Sequence, residues 1–294
     1  MTPLIVALPG DESLAEALVA AGGFELGGIE TRKFPDGETY LRHCSDLKGR
    51  SVALVCGLHD PDPKLMALLL AAASARDLGA CRVGLVAPYL GYMRQDHRFH
   101  PGEAVSAVHF AHLLSGAVDW LATVDPHLHR IHRLDEVFSI PTATLHAGQL
   151  LAAWIGREIA NPVLIGPDAE SEQWVAEAAR IADAPFVVAT KARLGDRAVK
   201  IEIPDIGPWR DRTPVLVDDV VSSGQTLLAA AEILGARGMG KPACAVVHGL
   251  FADDAYERLS AWFEPLVSAN TIPHSSNRID IAPLLAGAVA RLGA

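Results

Sequence analysis

Apolar and polar positions along this chain follow two rhythms. Short, largely apolar runs at Leu4–Leu8, Ser51–Cys56, Arg82–Ala87 and Trp120–Val124 predict strands covered on both faces, as in parallel sheets. Between them, Glu12–Ala21, Leu65–Leu78 and Gly102–Gly116 have the Ala- and Leu-rich composition of helices, the first stopping at Gly22-Gly23 and the second near Gly79. Phe24–Phe34 reads as a strand, Pro35-Asp36-Gly37 as a turn and Glu38–Arg42 as the returning strand. After a connecting region near Ile140-Pro141 the pattern restarts. Helices are predicted at Ala147–Ile159 and Glu172–Ile181, with a strand at Val163–Ile165. Strands at Phe186–Ala189 and Val199–Ile203 flank a loop over Thr190–Ala198. A further strand at Val215–Val217 leads to a helix opening at Thr226, then to strands at Ala243–His248 and Leu266–Ala269 and helices at Asp253–Trp262 and Pro283–Leu292.

Strands alternating with helices twice over predict the α/β class, with two domains of mostly parallel sheet. The expected division is residues 1–144 and 145–280, with the last helix, 281–294, packing back on the first domain. No short-period repeat or low-complexity segment interrupts this.

Composition narrows the partners. Half of the 294 residues are apolar and only 6% aromatic, so the cores should consist of Ala, Val and Leu. A net charge of −10 argues against nucleic acid, whose binding requires Lys and Arg to neutralise phosphates. Cys44, Cys56, Cys81 and Cys244 are scattered and read as buried thiols of a reducing compartment. The start Met1-Thr2-Pro3 offers no cleavable signal, and no long uninterrupted apolar run suggests a membrane span. A cytoplasmic protein is expected.

The chemistry gathers where strands are expected to end. Val215–Val217 is followed by Asp218 and Asp219, then by Ser222-Ser223-Gly224-Gln225-Thr226 at a helix start. Carboxylates there would repel a phosphate but accept from sugar hydroxyls or hold a divalent cation. The small polar loop before a helix offers N–H groups to an anion. A sugar phosphate satisfies both halves. Phe34-Pro35-Asp36-Gly37-Glu38 puts two acids on a tight turn. Tyr92-Met93-Arg94-Gln95-Asp96 mixes aromatic, cationic and amide groups, of which Arg94 can pair with a phosphate. Asp125-Pro126-His127-Leu128-His129 places two histidines at a strand end; histidine suits Mn²⁺ or zinc better than Mg²⁺, which prefers oxygen. Pro167-Asp168 ends another strand with a carboxylate able to coordinate a metal on a phosphate. Lys191 and Arg193, in a basic loop of an acidic protein, suit charge developing on a transferring phosphoryl group.

The order of these segments resembles the ribose-phosphate pyrophosphokinases over nearly the whole chain, closer to their archaeal-type branch. That resemblance implies two phosphoribosyltransferase-like α/β domains. It implies ATP binding by Phe34, Asp36, Glu38, Arg94, Gln95 and Asp96, and metal–phosphate contacts from His127 and Asp168. Lys191 and Arg193 become the catalytic pair, and Asp218, Asp219, Ser222, Ser223, Gly224, Gln225 and Thr226 the ribose 5-phosphate site. It also implies Mg²⁺, with Mn²⁺ as its substitute, and a homo-oligomer whose ATP sites are shared between subunits. The sequence departs from the family at Ser222-Ser223-Gly224-Gln225-Thr226, where many relatives read Asp-Thr-Gly-Gly-Thr, and Gln225 removes backbone freedom there. It departs again at Ala169-Glu170-Ser171-Glu172, where a glycine-bearing turn is usual. Glu170 there is either the first turn of a helix, with Ser171 as cap, or a further metal ligand. A weakly catalytic nucleotide-binding homologue, a phosphoribosyltransferase and a diphosphokinase of another sugar phosphate are the rival readings.

Overall fold

A computed structural model describes residues 2–128, 130–168, 171–194 and 198–294; the side chains of 173, 191–194 and 198–200 lie outside the description. The chain forms two units: Met1–Leu145 with Thr271–Pro273 and Ile281–Ala294, and His146–Asn270 with His274–Asp280.

The first unit is built on a six-stranded sheet, all parallel: β1 (Leu4–Ala7), β2 (Glu25–Gly27), β5 (Ser51–Val55), β6 (Arg82–Ala87), β7 (Trp120–Val124) and β8 (Thr142–Leu145), in the order β2-β1-β5-β6-β7-β8. β5 and β7 are buried throughout, which is why their sequences are apolar but for Ser51 and Thr123. Three helices follow strands in the chain: α1 (Glu12–Gly22), α2 (Asp62–Asp77) and α3 (Ser106–Ala117). α1 buries Leu14, Ala15 and Leu18 on one stripe and ends at Gly23, whose left-handed backbone lets its N–H cap the Val19 carbonyl. Gly84 on β6 lies under the buried Trp120 ring, where a Cβ would come within 1.8 Å, so no larger residue fits there. A two-stranded antiparallel hairpin, β3 (Ile29–Lys33) with β4 (Thr39–His43), stands apart from the main sheet.

The second unit repeats this plan without repeating the sequence. Its strands β9 (Pro162–Gly166), β10 (Phe186–Val188), β13 (Thr213–Val221), β14 (Ala243–Gly249), β15 (Leu266–Ala269) and β16 (Asn277–Ile279) form a parallel sheet in the order β10-β9-β13-β14-β15-β16. A hairpin, β11 (Thr190–Leu194) with β12 (Ala198–Glu202), again stands apart and again falls between the second and third strands of the sheet. Helices α5 (Glu172–Ile181), α6 (Gln225–Ala236) and α7 (Ala255–Trp262) take the places of α1, α2 and α3. The helix that follows β8 in the chain, α4 (Gly148–Glu158), packs on α5 and β14. The helix that follows β16, α8 (Ala282–Leu292), packs on α1 and β7 and buries Leu285, Ala288 and Val289. Each unit is thus completed by a helix that the other unit's last strand leads into.

Several sequence expectations are corrected. Phe24–Phe34 is two strands, β2 in the main sheet and β3 in the hairpin, parted at Gly27-Gly28. Thr190–Ala198 is largely hairpin rather than loop; its charges obscured a period of two in Thr190-Lys191-Ala192-Arg193-Leu194. The strand expected at Val215–Val217 runs from Thr213 to Val221, because β14 pairs with it as far as Val221 opposite Gly249. α2 begins at Asp62, with a proline in its first turn, and α3 at Ser106 rather than Gly102. β8 and β16 are further strands, short and only partly apolar.

Candidate active-site loops

Asp218 and Asp219 sit inside β13, beyond the point where β9 stops pairing with it at Leu216. Among the described residues only β14 pairs with the strand there, so acids are tolerated in extended backbone. Asp218 Oδ1 accepts the Asp219 N–H at 2.9 Å, and Asp219 Oδ1 accepts the Val220 N–H at 2.8 Å. Burial, then the Asp219 carboxylate, with Asp168 adding to it, push the Asp218 carboxyl well above the usual carboxylate range. Two acids this close share the cost of their charge, which a hydroxyl donor or a hard cation would relieve. Burial, and then Asp218, likewise raise the thiol of Cys244 on β14.

The chain then turns through Ser222, Ser223 and Gly224 into α6. Gly224 has φ +70°, and a Cβ there would meet Leu259 Cδ1 at 2.7 Å. As the residue before the helix it brings no capping side chain, so the first N–H groups of α6 are left for a ligand. Gln225 is the first residue of α6, in helical backbone, so glycine's freedom is not needed at that position. Asp168 follows β9. Its carbonyl accepts the Ser171 hydroxyl at 2.6 Å, and its Oδ1 accepts the Ser171 N–H at 3.3 Å. Ser171 therefore precedes α5 without capping it by its side chain. Glu170 lies outside the described residues. Lys191 and Arg193 lie on β11, opposite Ile201 and Val199.

The first unit carries the remaining candidates on its own loops. The Phe34–Glu38 hairpin tip closes with Phe34 N–H to the Glu38 carbonyl at 2.8 Å, and Asp36 Oδ1 accepts the Glu38 N–H at 3.2 Å. Phe34 is 38% exposed there, edge-on to Tyr40, with the Arg32 guanidinium 4.6 Å from its ring centroid. In the Tyr92–Asp96 segment the three ATP candidates part company. Arg94 is exposed. Gln95 Oε1 accepts the Ser106 hydroxyl at 2.6 Å. The Asp96 side chain is only 2% exposed, accepts the Arg130 N–H at 2.7 Å and lies 3.0 Å from His97 Nδ1. That nitrogen is also 2.9 Å from Arg130 Nη1; it can donate to the carboxylate or accept from the guanidinium, not both. Burial would raise the Asp96 carboxyl, but the Arg130 N–H and the His97 and Arg130 charges hold it below the ordinary range. Asp96 thus ties its segment to the one after β7. His127 is partly exposed there, after Asp125, which takes φ +34°.

The structure gathers Asp168, Asp218 and Asp219 close enough to act on one another's charge, in the unit that also holds Ser222–Thr226. It does not place His127 in that unit. Among the described residues no set of three or more His, Cys, Asp or Glu forms a metal cage. Carboxylate oxygens in ones and twos do fit Mg²⁺, which completes its shell from water and substrate phosphates.

In the first unit the counterpart of the β13–α6 loop follows β5, and it is closed. Asp11, buried, accepts the Gly57 N–H at 2.9 Å, and Lys64 Nζ donates to the Gly57 carbonyl at 2.7 Å. Burial and then Lys64 hold His59 down to about 4. Sequence reading missed this filled counterpart, the Arg130 anchor and Leu259 beside Gly224, since these contacts join segments far apart in the chain and leave no motif.

Residues 4–117 match the N-terminal domain of ribose phosphate pyrophosphokinase, and residues 134–272 a phosphoribosyl transferase domain. The chain is 33% identical to the ribose-phosphate pyrophosphokinase of Methanothermobacter thermautotrophicus, over 96% of this chain and 98% of that one. It is 34% identical to that of Methanopyrus kandleri, over 95% and 94%. Its fold matches the crystal structure of phosphoribosylpyrophosphate synthetase from Mycobacterium smegmatis with a TM-score of 0.83, covering 98% of each chain at 23% identity.

Proposed function

The chain belongs to the ribose-phosphate pyrophosphokinase family, and on that premise we propose that it makes phosphoribosyl pyrophosphate and AMP from ribose 5-phosphate and ATP. The 1-hydroxyl oxygen of the sugar attacks the β-phosphorus. The bond from that phosphorus to the α,β-bridging oxygen breaks, and the oxygen leaves on AMP while the hydroxyl proton passes to water. The reaction needs no covalent enzyme intermediate. The protein's work is alignment and charge neutralisation.

The observation that carries this reading is the sequence of groups on β13 and α6: two adjacent acids, then a loop with left-handed Gly224 opening a helix. Asp218 and Asp219 accept from the ribose hydroxyls, and Ser222–Thr226 hold the 5-phosphate. Lys191 and Arg193 offset charge in the transition state. Phe34, Asp36, Glu38, Arg94 and Gln95 bind ATP, and Asp96, engaged with Arg130, holds Arg94 and Gln95 in place. Asp168 would hold Mg²⁺ on the phosphates, where the ion would supply charge neutralisation when bound. The exposed aromatic Phe34 at the hairpin tip supports a homo-oligomer in which that tip completes a neighbouring subunit's ATP site. All four cysteines are free thiols, though only Cys56 and Cys244 are buried and Cys44 and Cys81 are exposed, against the expectation of four buried ones. Free thiols suit the reducing cytoplasm, and no described helix is long and apolar enough to cross a membrane.

The test is AMP released from ATP with and without ribose 5-phosphate, and with other pentose and hexose phosphates in its place. AMP that appears only with ribose 5-phosphate is the expected result. AMP formed equally with another sugar phosphate, or without any sugar, would refute the assignment.

A further inference from the structure

We propose that Arg258 is a positioning residue for the phosphate loop, and that the connection from β14 to α7 is the clamp that aims the loop's N–H groups at the ligand. Three successive carbonyls of the loop are held from this one side. Val221 O accepts the N–H groups of Leu250, at 2.9 Å, and Phe251, at 3.1 Å, and Ser222 O accepts that of Ala252 at 3.1 Å. Ser223 O accepts from Arg258 Nη2 at 3.2 Å. With their carbonyls turned to the clamp, the intervening peptide units present N–H groups the other way, as an anion-binding nest requires. Arg258 is the one side chain that makes these bonds; the others come from backbone.

Arg258 is itself braced. Its Nε lies 2.9 Å from Asp254 Oδ1, one helical turn earlier, at ion-pair distance but without the alignment of a hydrogen bond. The next residue, Leu259, fills the space beside Gly224. The lead-in to α7 includes Phe251 at φ +41° and Asp253 at φ +54°, conformations that side-chain-bearing residues seldom adopt. Such backbone persists where surrounding contacts over-determine it, and here those contacts are the bonds to Val221 and Ser222. A guanidinium on the carbonyl side also adds positive charge behind a phosphate without touching it.

The inference rests on Ser222–Thr226 holding the sugar's 5-phosphate, so the experiment separates the two. Ribose 5-phosphate binding would be measured by calorimetry, with KM for each substrate and kcat, in Arg258→Met, Arg258→Lys and Thr226→Val. Arg258→Met should weaken ribose 5-phosphate about tenfold, the scale of one charge-assisted hydrogen bond, with KM for ATP within twofold of the parent. Arg258→Lys should recover part of that loss. If Thr226→Val weakens ribose 5-phosphate but Arg258→Met does not, the clamp is wrong. Equal losses on both substrates would make Arg258 merely structural and overturn it too. No effect of Thr226→Val would remove the loop reading beneath both. Should Arg258→Met not fold, Asp254→Asn carries the same test, with an expected two- to threefold rise confined to ribose 5-phosphate and refutation by an unchanged value.

Discussion

Replacing Gly224 with Ala isolates what the phosphate loop's shape contributes. At φ +70° an L-residue costs about 1–2 kcal/mol relative to glycine. The added Cβ also falls 2.7 Å from Leu259 Cδ1 and 3.1 Å from its Cγ, so the leucine must leave its rotamer, at about 0.5–1.5 kcal/mol. The two effects together, about 1.5–3.5 kcal/mol, predict a loss of about 10- to 400-fold in ribose 5-phosphate affinity if the loop must keep this conformation to bind. Isothermal titration with ribose 5-phosphate would read it directly in Gly224→Ala, Leu259→Ala and the double variant. Leu259→Ala opens the space for the methyl but leaves the backbone strain. Measured against Leu259→Ala, the added Gly224→Ala change should therefore cost only about tenfold. Binding within twofold of the parent in Gly224→Ala would refute the constrained loop. A cost as large with Leu259 absent as with it present would refute the steric half of the reasoning.

Three other perturbations reach different parts of the molecule. Asp218→Asn keeps an acceptor for the Asp219 N–H but removes a charge that burial and Asp219 disfavour, so ribose 5-phosphate should bind more weakly while the unliganded protein melts higher. Because the folded carboxyl holds its proton to a higher pH than the unfolded one, that gain should be absent in strong acid, below the unfolded value of 3.8, and grow as pH rises above it; a variant that melts lower at neutral pH contradicts this. His59, held down to about 4, binds its proton in the unfolded chain first, so stability should fall as pH drops from 6.5 towards 4. His59→Gln should flatten that fall in urea titrations across the window, by no more than about 2 kcal/mol after solvent screening, and an unaltered slope would contradict the assignment. Mixing Asp36→Ala with Lys191→Ala subunits should restore activity absent from either alone, since one hybrid site carries neither lesion; no recovery in verified mixed oligomers counts against a shared site.

The two sheets were legible because buried strands leave continuous apolar runs such as Val52–Val55, and helices leave Ala- and Leu-rich stripes such as that of α8. Legibility failed where charge and backbone decide the structure. Lys191 and Arg193 drew attention as cations and so concealed the alternation that makes their segment a strand. Asp218 and Asp219 looked like the end of a strand because acids seldom occupy a central one; the loss of β9 as a partner after Leu216 is tertiary information. Gln225 looked too restrictive of the backbone for its loop, yet the loop has already become helix there, and within Ser222–Thr226 it is Gly224 that takes a left-handed backbone. Asp96 is the clearest case among the candidate ligands. Its motif points to nucleotide, and its geometry points to an anchor on Arg130 that no local pattern announces. The clamp on Val221–Ser223 left no trace in the sequence for the same reason, since most of its donors are peptide N–H groups.

Transfer of the two terminal phosphates as one group is the central claim, and phosphorus NMR of a single incubation with MgATP and ribose 5-phosphate tests it most directly. The account predicts that the ATP resonances give way to one AMP signal and, in equal amount, to two coupled resonances of a diphosphate ester on the sugar's first carbon. ADP accompanied by a sugar bisphosphate, or by free orthophosphate, would show cleavage at the γ-phosphorus instead and contradict it.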